Sequence, residues 1–125
     1  MAAECHVRYL RQDKLHDPVH VTVLIVAADA KRIHYFLELR HTVEDWGAAT
    51  SENMTLHIDM NLRRVAPYPP DVWARIKVVA EAHEKIPRPV DVGRSITMTP
   101  SEAPRERSAS KNILELHRLA PNTNL

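Results

Sequence analysis

Two pairs of residues near the middle of the chain have types and spacing that could support chemistry. His57 and Asp59 are separated by one apolar residue, so on a strand they would share a polar face, where an imidazole and a carboxylate could transfer protons or bind a metal. Arg63 and Arg64 follow and could bind a phosphate or a carboxylate. Two candidate ligands without a third are a weak pattern for a metal, so we expect none, and a simple solvated role for all four residues stays open.

Other chemically capable residues have simpler interpretations. His16 and His20 have the i, i+4 spacing of helical metal ligands, but Pro18 lies between them in a strand-like region. Cys5 has no nucleophile motif around it and is typical of a small buried strand residue. A Gly-rich phosphate loop is excluded because the chain has only two glycines. Five aromatic residues could hold a quaternary ammonium by cation–π attraction, although core positions are the simpler interpretation: Tyr9, Tyr35, Trp46, Tyr68 and Trp73.

These residues must be positioned by a run of strands that fills the first half of the chain. Between Asn53 and Arg63 every second residue is apolar, which is the period of a strand with one buried and one wet face. Three earlier segments show similar, less regular patterns: residues 5–10, 19–26 and 33–40. No helix separates the strands. Their short connections predict antiparallel pairing of neighbours, because a parallel pair needs a long crossover.

Helical periodicity follows the strands. Pro70 suits the first turn of a helix, and the segment to Lys85 carries an apolar stripe before further prolines end it. We expect that stripe to contain Val72, Ile76, Val79, Ala80 and His83. Residues 1–98 are therefore predicted to form one α+β domain, with about four antiparallel strands followed by a C-terminal helix. Residues 99–125 have the composition of a disordered tail, with a short amphipathic helix near 112–119.

Composition limits the class of protein. A formal net charge of +1 over 125 residues gives no reason to expect nucleic acid or an anionic membrane as the partner. The single cysteine excludes an internal disulfide and suits a reducing compartment. The N-terminus lacks a signal-peptide pattern, and no apolar run approaches the roughly 20 residues of a membrane span. We therefore expect a soluble, cytoplasmic protein.

Several segments resemble the sheet half of hot-dog thioesterases of the 4-hydroxybenzoyl-CoA thioesterase type. They are residues 6–10, the turn at 14–19, the strand entry at 29–34 with its continuation to 41, and residues 55–59. Residues 63–72, the helix after them and residues 87–89 and 93–96 resemble, more narrowly, the thioesterase domain of carnitine catabolism, either free or fused to carnitine dehydrogenase. The resemblance covers roughly Glu4 to Met98, and it is spread over strands and turns rather than fixed by a catalytic motif.

The resemblance implies a hot-dog fold that hydrolyses a short acyl-CoA thioester, betainyl-CoA in this subgroup, without a cofactor. It makes Arg63 and Arg64 candidate contacts for the CoA phosphates, and it leaves His57 and Asp59 as further substrate-binding candidates. The aromatic residues become candidates for a trimethylammonium group. The resemblance also implies a homo-oligomer assembled through the sheet.

The front of the chain departs from this family. Hot-dog thioesterases of this type resemble one another in a first strand and a long central helix, from which the catalytic carboxylate usually comes, and no segment here corresponds to them. We therefore expect a domain that is incomplete at its N-terminus, with catalytic residues unknown and an apolar sheet face that another element must cover. The predicted helix, a second copy of the chain or a separate chain could provide that cover.

Two other interpretations stay open. One is a non-catalytic hot-dog-like module that assembles through its sheet edge or its helix. The other is a generic α+β ligand binder, which the order of a sheet followed by a helix does not exclude. Hydrolysis of acyl-CoA thioesters by the purified protein would separate the enzyme from both.

Overall fold

The structure, a computed structural model, describes residues 1–98 and has α+β architecture. Four strands form one antiparallel sheet: β1 (Ala2–Tyr9), β2 (Val19–Ala28), β3 (Arg32–His41) and β4 (Gly47–Leu56). A two-stranded hairpin follows, formed by β5 (Ile58–Asp59) and β6 (Arg64–Val65), and then one helix, α1 (Pro70–Glu84). The predicted fold class, the four strands and the helix are confirmed. The predicted tail at 99–125, with its helix near 112–119, lies outside the described residues.

The order of strands in the sheet is β1-β4-β3-β2, so β1 and β2 lie at opposite edges. The prediction that all neighbouring strands pair was therefore wrong for the first two. The connection at residues 10–18 crosses the end of the sheet, where Ala48 O accepts the N–H groups of Leu10 and Arg11 at 2.8 and 3.0 Å. At the far side, Pro18 O accepts the N–H of Thr42 at 2.9 Å. Nine residues reach about 30 Å, which is ample for the roughly 14 Å between the outer strands of a four-stranded sheet.

The predicted fourth strand is also different from the observed one. β4 begins earlier, at Gly47, and ends at Leu56, and the chain then reverses between β5 and β6. Asp59 Oδ1 accepts the N–H groups of Asn61 and Leu62 at 2.9 and 3.0 Å, and Arg63 has a left-handed φ of 49°. A side chain that bonds nearby backbone in this way favours a turn over a continuing ladder. The apolar alternation thus runs past the end of the strand into a turn.

Helix α1 packs against the edge strand β2. Its half-buried stripe contains Trp73, Ile76, Ala80 and His83, whereas Val72 and Val79 are exposed, which corrects the predicted stripe. His83 Nδ1 accepts the N–H of Ile25 in β2 at 2.9 Å. The helix therefore sits beside the sheet and bonds its edge rather than covering its apolar face.

Apart from Phe36 in the middle of β3, the buried residues lie towards one end of the sheet. They are His41, Trp46, Gly47, Ala48 and Thr50. The Trp46 ring lies 4.1 Å from the Arg11 guanidinium, and its Nε1–H donates to Glu44 Oε2 at 2.8 Å. A cation over an indole face is a favourable contact, so it fixes the crossing connection to the turn before β4.

One face of the sheet stays open in the described part of the chain. Tyr9, Ala49, Leu39 and Val21 are register partners across the four strands and so share this face. Tyr9 is 89% exposed, and Val21 and Val23 are 54% and 55% exposed. This is the apolar face for which the sequence predicted a cover, and α1 does not supply it. No described helix is long and apolar enough to cross a membrane.

Candidate functional site

The four residues singled out in the sequence lie in and beside the β5–β6 hairpin. His57 separates β4 from β5, and its backbone N–H donates to Lys31 O at 2.9 Å. Its Nδ1 lies 2.8 Å from Ala66 O, and because a carbonyl only accepts, Nδ1 carries the proton. The ring also contacts Tyr68, with 4.9 Å between the ring centroids. His57 thus fastens both ends of the hairpin to the β2–β3 turn.

Asp59 fixes the tip of the same hairpin through the two backbone N–H groups that it accepts. No hydrogen bond or ion pair joins Asp59 to His57 in residues 1–98. The two residues do not lie on one continuous strand, as the sequence had suggested, and the structure does not bring them together as an acid–base pair. Within the described ranges, no three His, Cys, Asp or Glu side chains are placed to hold a metal ion.

Arg63 and Arg64 are both exposed, in the turn and in β6. Neither forms an ion pair with a described residue. The contacts of His57 and Asp59 already hold the hairpin backbone in place. The two guanidinium groups can therefore bind an anion without reordering that backbone. Below the hairpin, burial raises the pKa of the Tyr68 phenol, and a hydrogen bond with Thr55 partly offsets that rise.

The β2–β3 turn that supports the hairpin is held by Asp29. Its Oδ1 accepts the N–H groups of Lys31 and Arg32 at 2.9 and 2.8 Å, and its Oδ2 accepts from Arg32 Nε at 2.8 Å. The Arg32 side chain, followed by the Lys31 amide, lowers the pKa of the Asp29 carboxyl below its ordinary value. Asp29 Oδ2 also lies 2.6 Å from Arg32 Nη2.

A cleft of about 500 Å³ is present elsewhere in the domain, between the sheet and the segment that follows α1. Its walls come from β1, β3, β4 and residues 93–96: Glu4, Cys5, His6, His34, Glu52, Asn53, Met54, Gly93, Arg94, Ser95 and Ile96. The segment is docked by an ion pair between Arg8 and Asp91, with 2.7 Å between Nη1 and Oδ1. The cleft thus depends on contacts that are distant in sequence.

Inside this cleft, His34 of β3 and Glu52 of β4 form a pair, with 2.7 Å between Nε2 and Oε1. The backbone N–H of Gly93 approaches both Glu52 oxygens, at 3.0 and 2.8 Å. Gly93 has a φ of 76°, and a Cβ there would meet nothing within 4 Å, so its backbone conformation rather than crowding favours glycine.

Sequence reasoning missed His34 and Glu52. His34 was seen as one of the polar residues alternating along a strand, and Glu52 follows residues 48–51, which are small and show no apolar alternation. Only the pairing of β3 with β4, which places His34 opposite Met54, brings the two side chains together. The signal that could have found the pair is that both residues are polar and lie at positions facing the same side of two paired strands.

Residues 1–76 match the family model described as the thioesterase-like superfamily. The chain belongs to this family. The hot-dog resemblance of the sheet is thereby confirmed.

Curated relatives narrow the similarity within the thioesterase-like superfamily. A betainyl-CoA thioesterase of Pseudomonas aeruginosa is 36% identical over 97 residues, which are 78% of this chain and 61% of that protein. An L-carnitine dehydrogenase/betainyl-CoA thioesterase of Rhizobium meliloti is 34% identical over 93 residues, 74% of this chain and 19% of that protein. The chain thus spans about three fifths of the first relative and a fifth of the second.

Solved structures agree with this placement. A Staphylococcus aureus protein solved in complex with CoA superposes with a TM-score of 0.74 at 29% identity, covering 79% of this chain and 62% of that one. A candidate thioesterase from Pseudomonas putida KT2440 gives a TM-score of 0.69 at 31% identity, covering 80% of this chain and 63% of that one. The four-stranded sheet and its helix are therefore those of the thioesterase-like fold.

Proposed function

We propose that this protein acts in the hydrolysis of a short acyl-CoA thioester, of which betainyl-CoA in carnitine degradation is the favoured example. The observation that carries the proposal is the 36% identity to a betainyl-CoA thioesterase over 78% of the chain. Membership of the thioesterase-like superfamily and the superposition on a protein solved with CoA support the same substrate class. The reaction needs a cleft for the acyl end and an anion site for the CoA phosphates.

Arg63 and Arg64 are the proposed contacts for the CoA phosphates. Both guanidinium groups are exposed and have no ion-pair partner in residues 1–98. Arginine matches phosphate geometry through paired N–H donors. His57 and Asp59 contribute to substrate binding by holding the backbone that carries the two arginines, since their own polar atoms bond Ala66 and the turn amides.

We also propose that the protein forms a homodimer through the sheet and that it is cytoplasmic. Among residues 1–98, β1 pairs only with β4, so the backbone groups on its other edge have no strand partner there. Beside it, Tyr9 and Val7 are exposed on the open face of the sheet. A second copy would bury apolar surface and pair an edge at the same time.

The test is release of free CoA from a panel of acyl-CoAs by the purified full chain. Chromatographic detection of CoA is preferable to a thiol reagent, because the exposed thiol of Cys5 would react as well. We expect the highest kcat/KM with betainyl-CoA and lower values with acyl groups that lack the trimethylammonium. If no acyl-CoA is hydrolysed and calorimetry detects no binding of any of them, the proposal is wrong.

A further inference from the structure

The Glu52 side chain lines the cleft and lies between two hydrogen-bonding partners. It is only 14% exposed, and its two oxygens accept from the Gly93 N–H and from the His34 ring. A carboxylic acid side chain is ordinarily ionised at neutral pH, and an ionised carboxylate has only acceptor atoms. Both oxygens of Glu52 are therefore acceptors, and His34 Nε2 is the donor.

The tautomer of His34 follows from this contact. With the proton on Nε2, the lone pair of the neutral imidazole lies on Nδ1, for which no partner is found in residues 1–98. The ring lines the cleft, and its side chain is 26% exposed. A carboxylate on one nitrogen and an accessible lone pair on the other is the arrangement that makes histidine a general base.

The cleft has room for the reactive end of a substrate. Its volume of about 500 Å³ lies within the range of small-molecule sites. Met54 and Ile96 give it apolar surface, while Arg94 and His6 add polar groups at its walls. An acyl group and its thioester carbonyl can therefore reach His34 while the nucleotide end of CoA remains outside.

We propose that His34, oriented by Glu52, is the base that activates water for attack on the thioester carbonyl in this cleft. The proposal rests on the proposed function and adds residues of this chain to it. His34 Nδ1 removes a proton from water as the water oxygen bonds to the carbonyl carbon. The C–S bond then breaks, the CoA sulfur takes the proton back from Nδ1, and the products are the free acid and the CoA thiol.

Glu52 is a positioning residue in this scheme. It touches no reacting atom, holds the His34 tautomer and stabilises the imidazolium that forms during the reaction. The Gly93 N–H holds the carboxylate in turn, so residues 93–96 both close the cleft and orient its base.

The decisive experiment compares His34→Gln with His20→Gln in the full chain, using betainyl-CoA. His20 is exposed and bonds Thr42 Oγ1 at 3.1 Å, so its replacement removes an imidazole far less embedded than His34 and serves as the matched control. We expect H34Q to lower kcat by about 10²–10⁴-fold with KM within a few-fold, which is the usual contribution of general-base catalysis. H20Q should keep the wild-type kcat.

Glu52→Gln should lower kcat less than H34Q and shift the acidic limb of the pH–rate profile, a change that a purely structural residue would not produce. Added imidazole should partly restore kcat in His34→Ala, and this rescue covers the case in which H34Q folds poorly. Long-range ¹H–¹⁵N NMR should show the proton on Nε2 of His34 in the wild-type protein. A proton on Nδ1 would overturn the proposal whatever the activity.

The outcomes separate the two proposals. Wild-type hydrolysis with an equally active H34Q overturns the role of His34 and leaves the thioesterase function standing. Absence of hydrolysis by the wild-type protein overturns the function and with it the catalytic role of His34. Loss of kcat in H34Q, rescue of H34A by imidazole and an unchanged H20Q together support both.

Discussion

The β5–β6 hairpin and the cleft differ in how the chain builds them. The hairpin lies within residues 57–66 and is shaped by contacts between near neighbours, such as Asp59 with the Asn61 amide, with His57 N–H joining it to Lys31 O. The cleft joins residues 34, 52 and 93, from two strands and the segment after the helix. Local patterns in a sequence can find the first kind of site, whereas the second exists only after the sheet has formed. Substitutions in the hairpin should therefore have local effects, whereas substitutions in the cleft should disturb segments that are distant in sequence.

The largest expected effect is on the cleft. Glu52→Ala leaves the Gly93 N–H and the His34 N–H without their acceptor, so we expect the free energy of unfolding to fall by about 1–3 kcal/mol. Urea denaturation measures this loss, and limited proteolysis should show earlier cleavage at residues 88–96. Glu4→Ala is the control, since Glu4 lines the same cleft but is exposed. Equal effects of the two substitutions would mean that Glu52 does not hold the cleft together.

The next effect is on ligand binding at the hairpin. The double variant Arg63→Ala/Arg64→Ala should bind CoA about tenfold more weakly, because exposed charge contacts contribute about 0.2–1 kcal/mol each. Its stability should match the wild type, and the affinity that remains should depend less on salt. Isothermal calorimetry measures the affinity. Arg75→Ala/Lys77→Ala removes two charges from the exposed side of α1, and an equal loss there would indicate nonspecific attraction.

A smaller effect is expected at the turn of the hairpin. Asp59→Ala removes the acceptor for two backbone N–H groups and should cost about 1 kcal/mol. Hydrogen exchange should rise within residues 57–66 and stay unchanged at the cleft. Asp59→Asn keeps an acceptor oxygen and should retain most of the protection. Faster hydrogen exchange at residues 34 and 52 in D59A would show that the hairpin and the cleft are coupled, contrary to this prediction.

The smallest effect is a pH dependence at the β2–β3 turn. The folded-state pKa of Asp29 is lowered by Arg32 and by backbone amides, so its stabilising contribution is present above the unfolded pKa of about 3.9 and is lost as pH falls through the lower folded value. The urea midpoint of the wild type should therefore fall more steeply below about pH 4 than that of Asp29→Asn. Parallel curves for the two proteins would show that this turn adds no acid sensitivity.

The elements predicted from the sequence are those with strong local signals. The start of α1 at Pro70 and strands β2 and β3 were found because a helix-starting proline and runs of β-branched or alternating residues specify them within a few positions. β4 was placed too late, because residues 48–51 are small or polar and the alternation that identified the strand lies mostly after it. The crossing of residues 10–18 leaves no local signal at all.

The same reasoning explains the candidate sites. The arginine pair was visible from residue type alone, and its exposure agrees with the role proposed for it. The His34–Glu52 pair requires the β3–β4 register, and the Gly93 contact requires the path of the chain after α1. Neither the register nor this path is visible in a single sequence, so only the structure could bring these residues together.

The hydrogen bond from the Ile25 N–H to His83 Nδ1 determines at which edge the sheet can add another strand. On the β2 side, a strand joining the ladder would be stopped at Ile25, where the backbone donor is already taken by the helix, whereas no strand of residues 1–98 pairs with the outer edge of β1. A sheet with one blocked and one free edge can add a partner once. In the proposed dimer, two copies joined edge to edge through β1 would each turn a blocked side outward, so assembly would end at a pair instead of continuing into a fibre.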